Sequence, residues 1–148
     1  DNPFYRDALY LERLAQVSTV ELNGKEVVII NVHLEAFDKK TRVKQFHAIM
    51  KLFNKYKKTN PTILLGDFNS KARDEKAIIQ EIFKMNDVGN AAFNDLNIAN
   101  TFDTKNPTER IDYIFYTKNS IEYVDGKVLT QFGQASDHLP VEMQFKLK

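Results

Sequence analysis

Hydrophobic residues fall into two kinds of pattern along this chain. Val27-Val28-Ile29-Ile30-Asn31-Val32-His33, Ile63-Leu64-Leu65 and Ile111-Asp112-Tyr113-Ile114-Phe115-Tyr116 are apolar on both faces rather than alternating. Such runs predict interior strands of a covered sheet. Val141 to Leu147 instead alternates strictly and predicts a half-buried strand nearer a sheet edge. Asn23-Gly24 separates a strand over Leu14–Leu22 from a return strand over Glu26–His33, the strongest short-range signal for a hairpin. Helical spacing of Val43, Phe46, Ile49, Met50 and Phe53 predicts a helix, capped by Asp38 or Thr41 and running to about Lys57, with its lysines outside. His47 lies beside that stripe and reads as partly buried packing. A second helix is expected after Asp74, with Ile78, Ile79, Ile82 and Phe83 inward. Ser120 to Thr130 reads as a strand, or as a hairpin turning at Asp125-Gly126. Strands and helices interleave, so the expected class is an α/β or mixed α+β domain with helices covering a sheet.

Gly89 to Pro107 is a long asparagine-rich stretch anchored only by Phe93, Leu96, Ile98 and Phe102. A loop of that length in a compact domain is usually functional, and it is expected to form one wall of a cleft. Asp1 to Arg13 carries Phe4, Tyr5 and Tyr10 but no start signal of its own. The 148 residues suit one domain with a real core. Basic and acidic residues nearly balance, at a net charge of +1, so no polybasic face is demanded and nucleic acid is neither required nor excluded. Cysteine is absent, which removes disulfides and thiolate metal sites and leaves the compartment open. No apolar run approaches the length of a membrane span.

Polar residues at the strand ends are where chemistry is sought. Pro61 leads into the apolar run that stops at Gly66, after which Asp67 and Asn69 project to one side while Phe68 points to the core. The same residues also suit a strand-to-loop turn capped by Asp and Asn. Asn31 and His33 close the return strand, and His33 alone is better explained as a hydrogen-bonded histidine of the core. Asp112 sits in an apolar strand and needs a partner, either Arg110, a histidine or a metal. Glu35 and Arg42 flank the hairpin exit and would serve a site there or a surface ion pair. Taken together, His33, Asp67 with Asn69, Asp112, and Asp137 with His138 all lie at ends that an α/β fold gathers at one rim. Such a set suits a divalent cation, a phosphate, and a base for water.

Four segments, Asn31-Val32-His33-Leu34-Glu35, Gly66-Asp67-Phe68-Asn69, Arg110-Ile111-Asp112-Tyr113-Ile114-Phe115 and Ser136-Asp137-His138-Leu139-Pro140-Val141, carry a resemblance. In order and type they resemble the C-terminal motifs of the endonuclease/exonuclease/phosphatase superfamily, which has the DNase-I-like fold. The resemblance implies a four-layer α/β sandwich and a Mg²⁺-dependent (sometimes Mn²⁺) phosphoesterase. By the same resemblance, His138 is general base or phosphate-orienting cation, paired to Asp112. Asp67 positions or deprotonates the attacking water, Asn69 donates to a phosphoryl oxygen, and His33 hydrogen-bonds the scissile phosphate or assists the leaving group. Asp137, with Asp67, is the implied metal ligand.

The family pattern also contains an N-terminal asparagine and glutamate that meet the metal, and neither is found in this sequence. The chain is therefore expected to be one domain over residues 1–148 that corresponds to the C-terminal portion of a longer enzyme. A lone half would expose the apolar face that meets the other half, so a homodimer or a partner fragment is expected. Two functions follow as expectations: a metal-dependent phosphoesterase acting on phosphodiesters or phosphomonoesters, nucleic acid among them, or a family-derived binding or assembly module without turnover.

Overall fold

The computed structural model describes residues 13–92 and 99–148. Five strands form a mixed sheet: β1 (Ala15–Leu22), β2 (Lys25–His33), β3 (Thr62–Asp67), β4 (Val88–Asn90) and β5 (Asp112–Thr117), in the order β1-β2-β3-β5-β4. Only β2 and β3 run parallel; the other neighbours are antiparallel. A parallel pair needs a crossover, and α1 (Lys39–Tyr56) supplies it. β6 (Ile121–Val128) and β7 (Val141–Leu147) pair with each other in a separate two-stranded sheet.

Alternation along the strands sorts side chains to two faces. Val28, Ile30 and Val32 of β2, Leu64 of β3, and Tyr113 and Phe115 of β5 share one face with Phe46, Ile49, Met50 and Phe53 of α1. Phe68 joins them and meets the rings of Tyr113 and Phe115 edge-on at 5.6 and 5.5 Å. On the other face Val27, Ile63 and Tyr116 pack with Ile121, Tyr123, Met143, Phe145 and Leu147 of the β6–β7 pair. The result is helix on sheet on sheet, as expected for interior strands without alternation. β1, at the sheet edge, is the exception: Val17, Val20 and Leu22 remain 37–38% exposed.

Local chemistry explains the joints. Asn23 and Gly24 both have positive φ, 52° and 75°, as a two-residue type I′ hairpin requires. Asp38, not Thr41, caps α1, its carboxylate accepting from the backbone N–H groups of Lys40 and Thr41. Gly66 has φ 129°, and a Cβ there would lie 2.0 Å from the carbonyl oxygen of Val32, so β2 and β3 approach closely only because the side chain is missing.

Several expectations need correction. Ser120 to Thr130 contains no hairpin: Asp125 and Gly126 lie within β6, beside a register shift that starts at Tyr123. At Gly126 a Cβ would lie a tight 3.0 Å from Ala92 N, Glu142 O and the Tyr123 hydroxyl. After Asp74 the chain makes turns, and only Gln80–Phe83, here α2, is α-helical, although Ile79 and Ile82 are buried as the pattern predicted. Asp74 accepts from Lys76 N and closes a turn instead. His47 is exposed rather than packed, 3.5 Å from Glu81 Oε1. Gly89 belongs to β4, where a Cβ would overlap the Tyr116 ring. Phe4, Tyr5, Tyr10, Phe93, Leu96 and Ile98 lie outside the described residues. Among the described residues no helix is long and apolar enough to cross a membrane.

Candidate active site

Register places the acidic and imidazole groups side by side. His33 is opposite Asp67 in the parallel pair, and Asp67 is opposite Asp112 in the antiparallel pair. Paired residues on neighbouring strands project to the same face, so three strand ends present His33, Asp67 and Asp112 in one row. The row lies on the face that β6 and β7 cover further along, opposite α1. His138 enters it from the loop before β7, which is tied to the rest by Leu139 N donating to Thr101 O at 2.7 Å.

The side chains converge closely. His138 Nδ1 lies 2.8 Å from Asp112 Oδ2 and His138 Nε2 lies 3.9 Å from Asp67 Oδ2. His33 Nε2 is 3.3 Å from the same Asp67 oxygen. One ligand atom each from Asp67, Asp112 and His138 fit within 4.8 Å of one another. The two carboxylates suit a hard divalent cation, which prefers oxygen ligands, and because Nδ1 of His138 faces Asp112, the nitrogen turned toward the site is Nε2. The partner sought for Asp112 is thus His138. Arg110 turns inward, its guanidinium 4.7 Å from the centre of the Tyr113 ring and donating to Asn90 Oδ1 at 3.1 Å.

Asn69 stands beside Asp67 in an Asx-type turn. Its φ is 45°; its backbone N–H donates to Asp67 Oδ1 at 2.7 Å, and its Nδ2 donates to Leu34 O at 2.9 Å and reaches Asp67 Oδ2 at 3.3 Å. Asp137 is exposed, and its carboxylate is not in the three-residue group. Glu35 and Arg42 do not pair through their side chains. Arg42 Nη1 donates to the carbonyls of Glu35 and Ala36, while the Glu35 carboxylate accepts from Phe37 N and lies 3.6 Å from Arg13 Nε. Lys39, Arg42, Asn69, Phe102 and Ile111 line an adjoining cavity of about 290 Å³.

Two contributors escaped the sequence reading. Thr101 Oγ1 donates to Asp112 Oδ2 at 2.6 Å, and Arg13 Nη1 lies 3.0 Å from His33 Nε2. Thr101 and Phe102, whose ring is 5.0 Å from that of His138, come from the long stretch expected to wall a cleft. A threonine among asparagines and an arginine ahead of a strand carry no spacing signal, so only contact reveals them.

Electrostatics separate the groups. Burial, then the Asp112 charge, push Asp67 up to about 6. Burial disfavours the His138 cation, but the hydrogen bond and charge of Asp112, aided by Asp67 and Asp137, outweigh it and raise the ring above its ordinary range. Burial and the neighbouring charges of Arg13 and His138 lower His33. A neutral His33 accepting from Arg13 at Nε2 fits that direction, since arginine is only a donor. The signs give a test in metal-free protein. Asp112→Asn removes the largest of the effects that raise His138 and leaves the burial that lowers it, so the ring should titrate at lower pH than in the parent, followed by histidine C–H proton NMR. An unmoved or higher titration would contradict the pairing.

The model of the Endonuclease/Exonuclease/phosphatase family matches residues 8–138. The chain belongs to that family. Members of the family are mostly hydrolases of phosphoesters and typically use divalent metals, and the grouping of Asp67, Asp112 and His138 is one that could hold such an ion. A UPF0294 protein of Vibrio cholerae is 28% identical over 125 residues, 84% of this chain and 42% of that relative. The chain therefore spans under half the length of the curated relatives it matches. An endonuclease/exonuclease/phosphatase of Beutenbergia cavernae superposes with a TM-score of 0.75 at 25% identity, over 99% of this chain and 42% of its own. D. rerio TDP2, solved with a single-strand DNA product, superposes with a TM-score of 0.71 at 19% identity, over 94% and 64% of the two chains. The likeness to TDP2 is one of fold, and the fold is the DNase-I-like one.

Proposed function

We propose that this chain carries the phosphate-hydrolysing residues of a metal-dependent phosphoesterase. The observation that supports this most is the convergence of Asp67, Asp112 and His138 within 4.8 Å at one sheet rim. Hydrolysis of a phosphoester needs an aligned water, donors for charge on the phosphoryl oxygens, and help for the departing oxygen. Asp67, whose carboxyl is raised to about 6 in the metal-free site by burial and the Asp112 charge, accepts the proton of the water. Asn69 fixes Asp67 through its backbone N–H, and its Nδ2 becomes a donor to a phosphoryl oxygen on leaving the 3.3 Å contact with Asp67.

His138, whose cation the Asp112 carboxylate at Nδ1 favours, donates from Nε2 to a phosphoryl oxygen. This favours its role as the orienting cation and leaves the base to Asp67. His33, at the open side of the row, faces the departing group together with Arg13, whose Nη1 meets the same Nε2 that lies near Asp67. Asp67, with Asp112 or the exposed Asp137, would hold Mg²⁺ or Mn²⁺, which supplies charge neutralisation at the phosphoryl oxygens and the leaving oxygen. The substrate is a phosphodiester or a phosphomonoester, and the DNA product held by TDP2 makes nucleic acid the first to try.

Hydrolysis of bis-(p-nitrophenyl) phosphate tests the reading, with Mg²⁺ or Mn²⁺ against EDTA, in this chain and in a form extended upstream. Metal-stimulated turnover is expected, greater in the extended form. Absence of turnover in both would leave a binding or assembly module as the function.

A further inference from the structure

The net charge of +1 conceals a strong segregation. Residues 39–58 hold eight of the 21 lysines and arginines and none of the 20 acidic residues, so the remainder is distinctly acidic. Within α1 the cations are also sorted by face. At 3.6 residues per turn, Lys40, Lys44, His47, Lys51 and Lys55 fall in an arc of about 80°, and Lys58 continues it beyond the helix end. All six are exposed. Their arc faces away from Phe46, Ile49, Met50 and Phe53, which bury the other side. Among the described residues, no lysine of this stripe is in an ion pair; Lys57, off the stripe, pairs with Asp87 at 2.7 Å. The neighbouring carboxylates are Asp38, engaged in capping the helix, and Glu81, beside His47.

Four lysines along one face of the helix, with Lys58 just beyond its end, repel one another and lower helix stability, so their clustering suits an anionic occupant. We propose that the exposed lysine face of α1 is a docking surface for the phosphate backbone of a single nucleic-acid strand. The stripe is straight, about 22 Å from Lys40 to Lys55 within the helix, and one side chain wide, the shape that follows a single polyanionic strand. No large apolar side chain is exposed along it, so it lacks the inserting face of a membrane-surface helix and the aromatic platforms that read bases. Binding is therefore electrostatic and independent of sequence. The surface lies across the sheet from Asp67, so its occupant is not the scissile phosphate. The stripe begins at Lys40, in the same first turn as Lys39 and Arg42, which lie off the stripe and line the cavity that Asn69 also lines, so its N-terminal end lies nearest the candidate site. It would thus hold a polymeric substrate of the site proposed above, yet it binds without catalysis and is tested without it.

The experiment is fluorescence anisotropy of a labelled single-stranded 20-mer with the chain in EDTA across a salt series. Lys44, Lys51 and Lys55 are replaced together by Gln, and Lys76, Lys127 and Lys146 together by Gln as a control of equal charge. Each is checked for folding by circular dichroism. Removing three phosphate contacts should weaken binding at low salt at least tenfold and lessen the slope of log K against log salt by about 2, while the control stays within about twofold of the parent. Absent binding, equal loss in both variants, or no loss in the stripe variant would overturn the proposal. Equal affinity for anionic lipid vesicles that oligonucleotide cannot displace would overturn it as well. Failure of hydrolysis with binding intact would count against the catalytic reading alone.

Discussion

Asp67→Asn or His138→Gln is expected to lower kcat for phosphodiester hydrolysis by about 10²–10⁴ with folding preserved. Asp67 would lose the carboxylate that takes the proton of water, and the isosteric amide keeps its shape beside Asn69. His138→Gln would remove the Nε2 donor and leave Asp112 with the Thr101 hydroxyl at 2.6 Å. The roles predict different kinetics. Both act in the transition state, so either change should lower kcat and kcat/KM alike, but only Asp67→Asn should abolish the acid limb of the pH–rate profile that a general base produces. Steady-state rates on bis-(p-nitrophenyl) phosphate in saturating Mg²⁺, with far-ultraviolet circular dichroism as the folding control, decide it. Undiminished turnover in both variants would refute the assignments.

Gly66→Ala is expected to cost about 3–5 kcal/mol of stability. The added methyl would sit 2.0 Å from Val32 O and 2.9 Å from Val32 C and N, all backbone atoms of the neighbouring strand that cannot rotate away. A φ of 129° adds strain for any L side chain. Relief requires β2 and β3 to part at the step before His33 and Asp67 meet. Urea denaturation of parent and variant measures the loss, and a change under about 1 kcal/mol would mean that the strands are not so closely joined. Gly24→Ala, at a hairpin turn with nothing within 4 Å of its Cβ, gives the comparison for backbone strain without a clash.

How far the sequence is readable depends on the range over which each decision is made. The β1–β2 hairpin, the α1 stripe and the buried strands rest on local periodicity and turn chemistry, and these were legible. Asp125-Gly126 misled because an Asp-Gly pair serves a turn or an irregular strand equally well, and the pairing of β6 with β7 across Gly126 settles which. The segment after Asp74 has helical spacing but only brief helix, since burial of Ile79 and Ile82 is reached through turns as readily. The whole-chain charge is silent in another way: a sum near zero says nothing about how charge is distributed, and the lysine face was already visible in the spacing of α1.

The sequence by itself determined the order of the β1–β2 hairpin, α1, β3, β5, β6 and β7, though not the short β4, together with the inward faces and which residue types end the strands, because each depends on neighbours within a turn or a strand length. Which imidazole meets which carboxylate was decided only by tertiary structure. His33, Asp67 and Asp112 become one row through the registers of β2, β3 and β5, and His138 and Thr101 reach it through loop packing. Register is a property of paired strands, and loop packing one of the assembled core, so no single stretch of chain contains either.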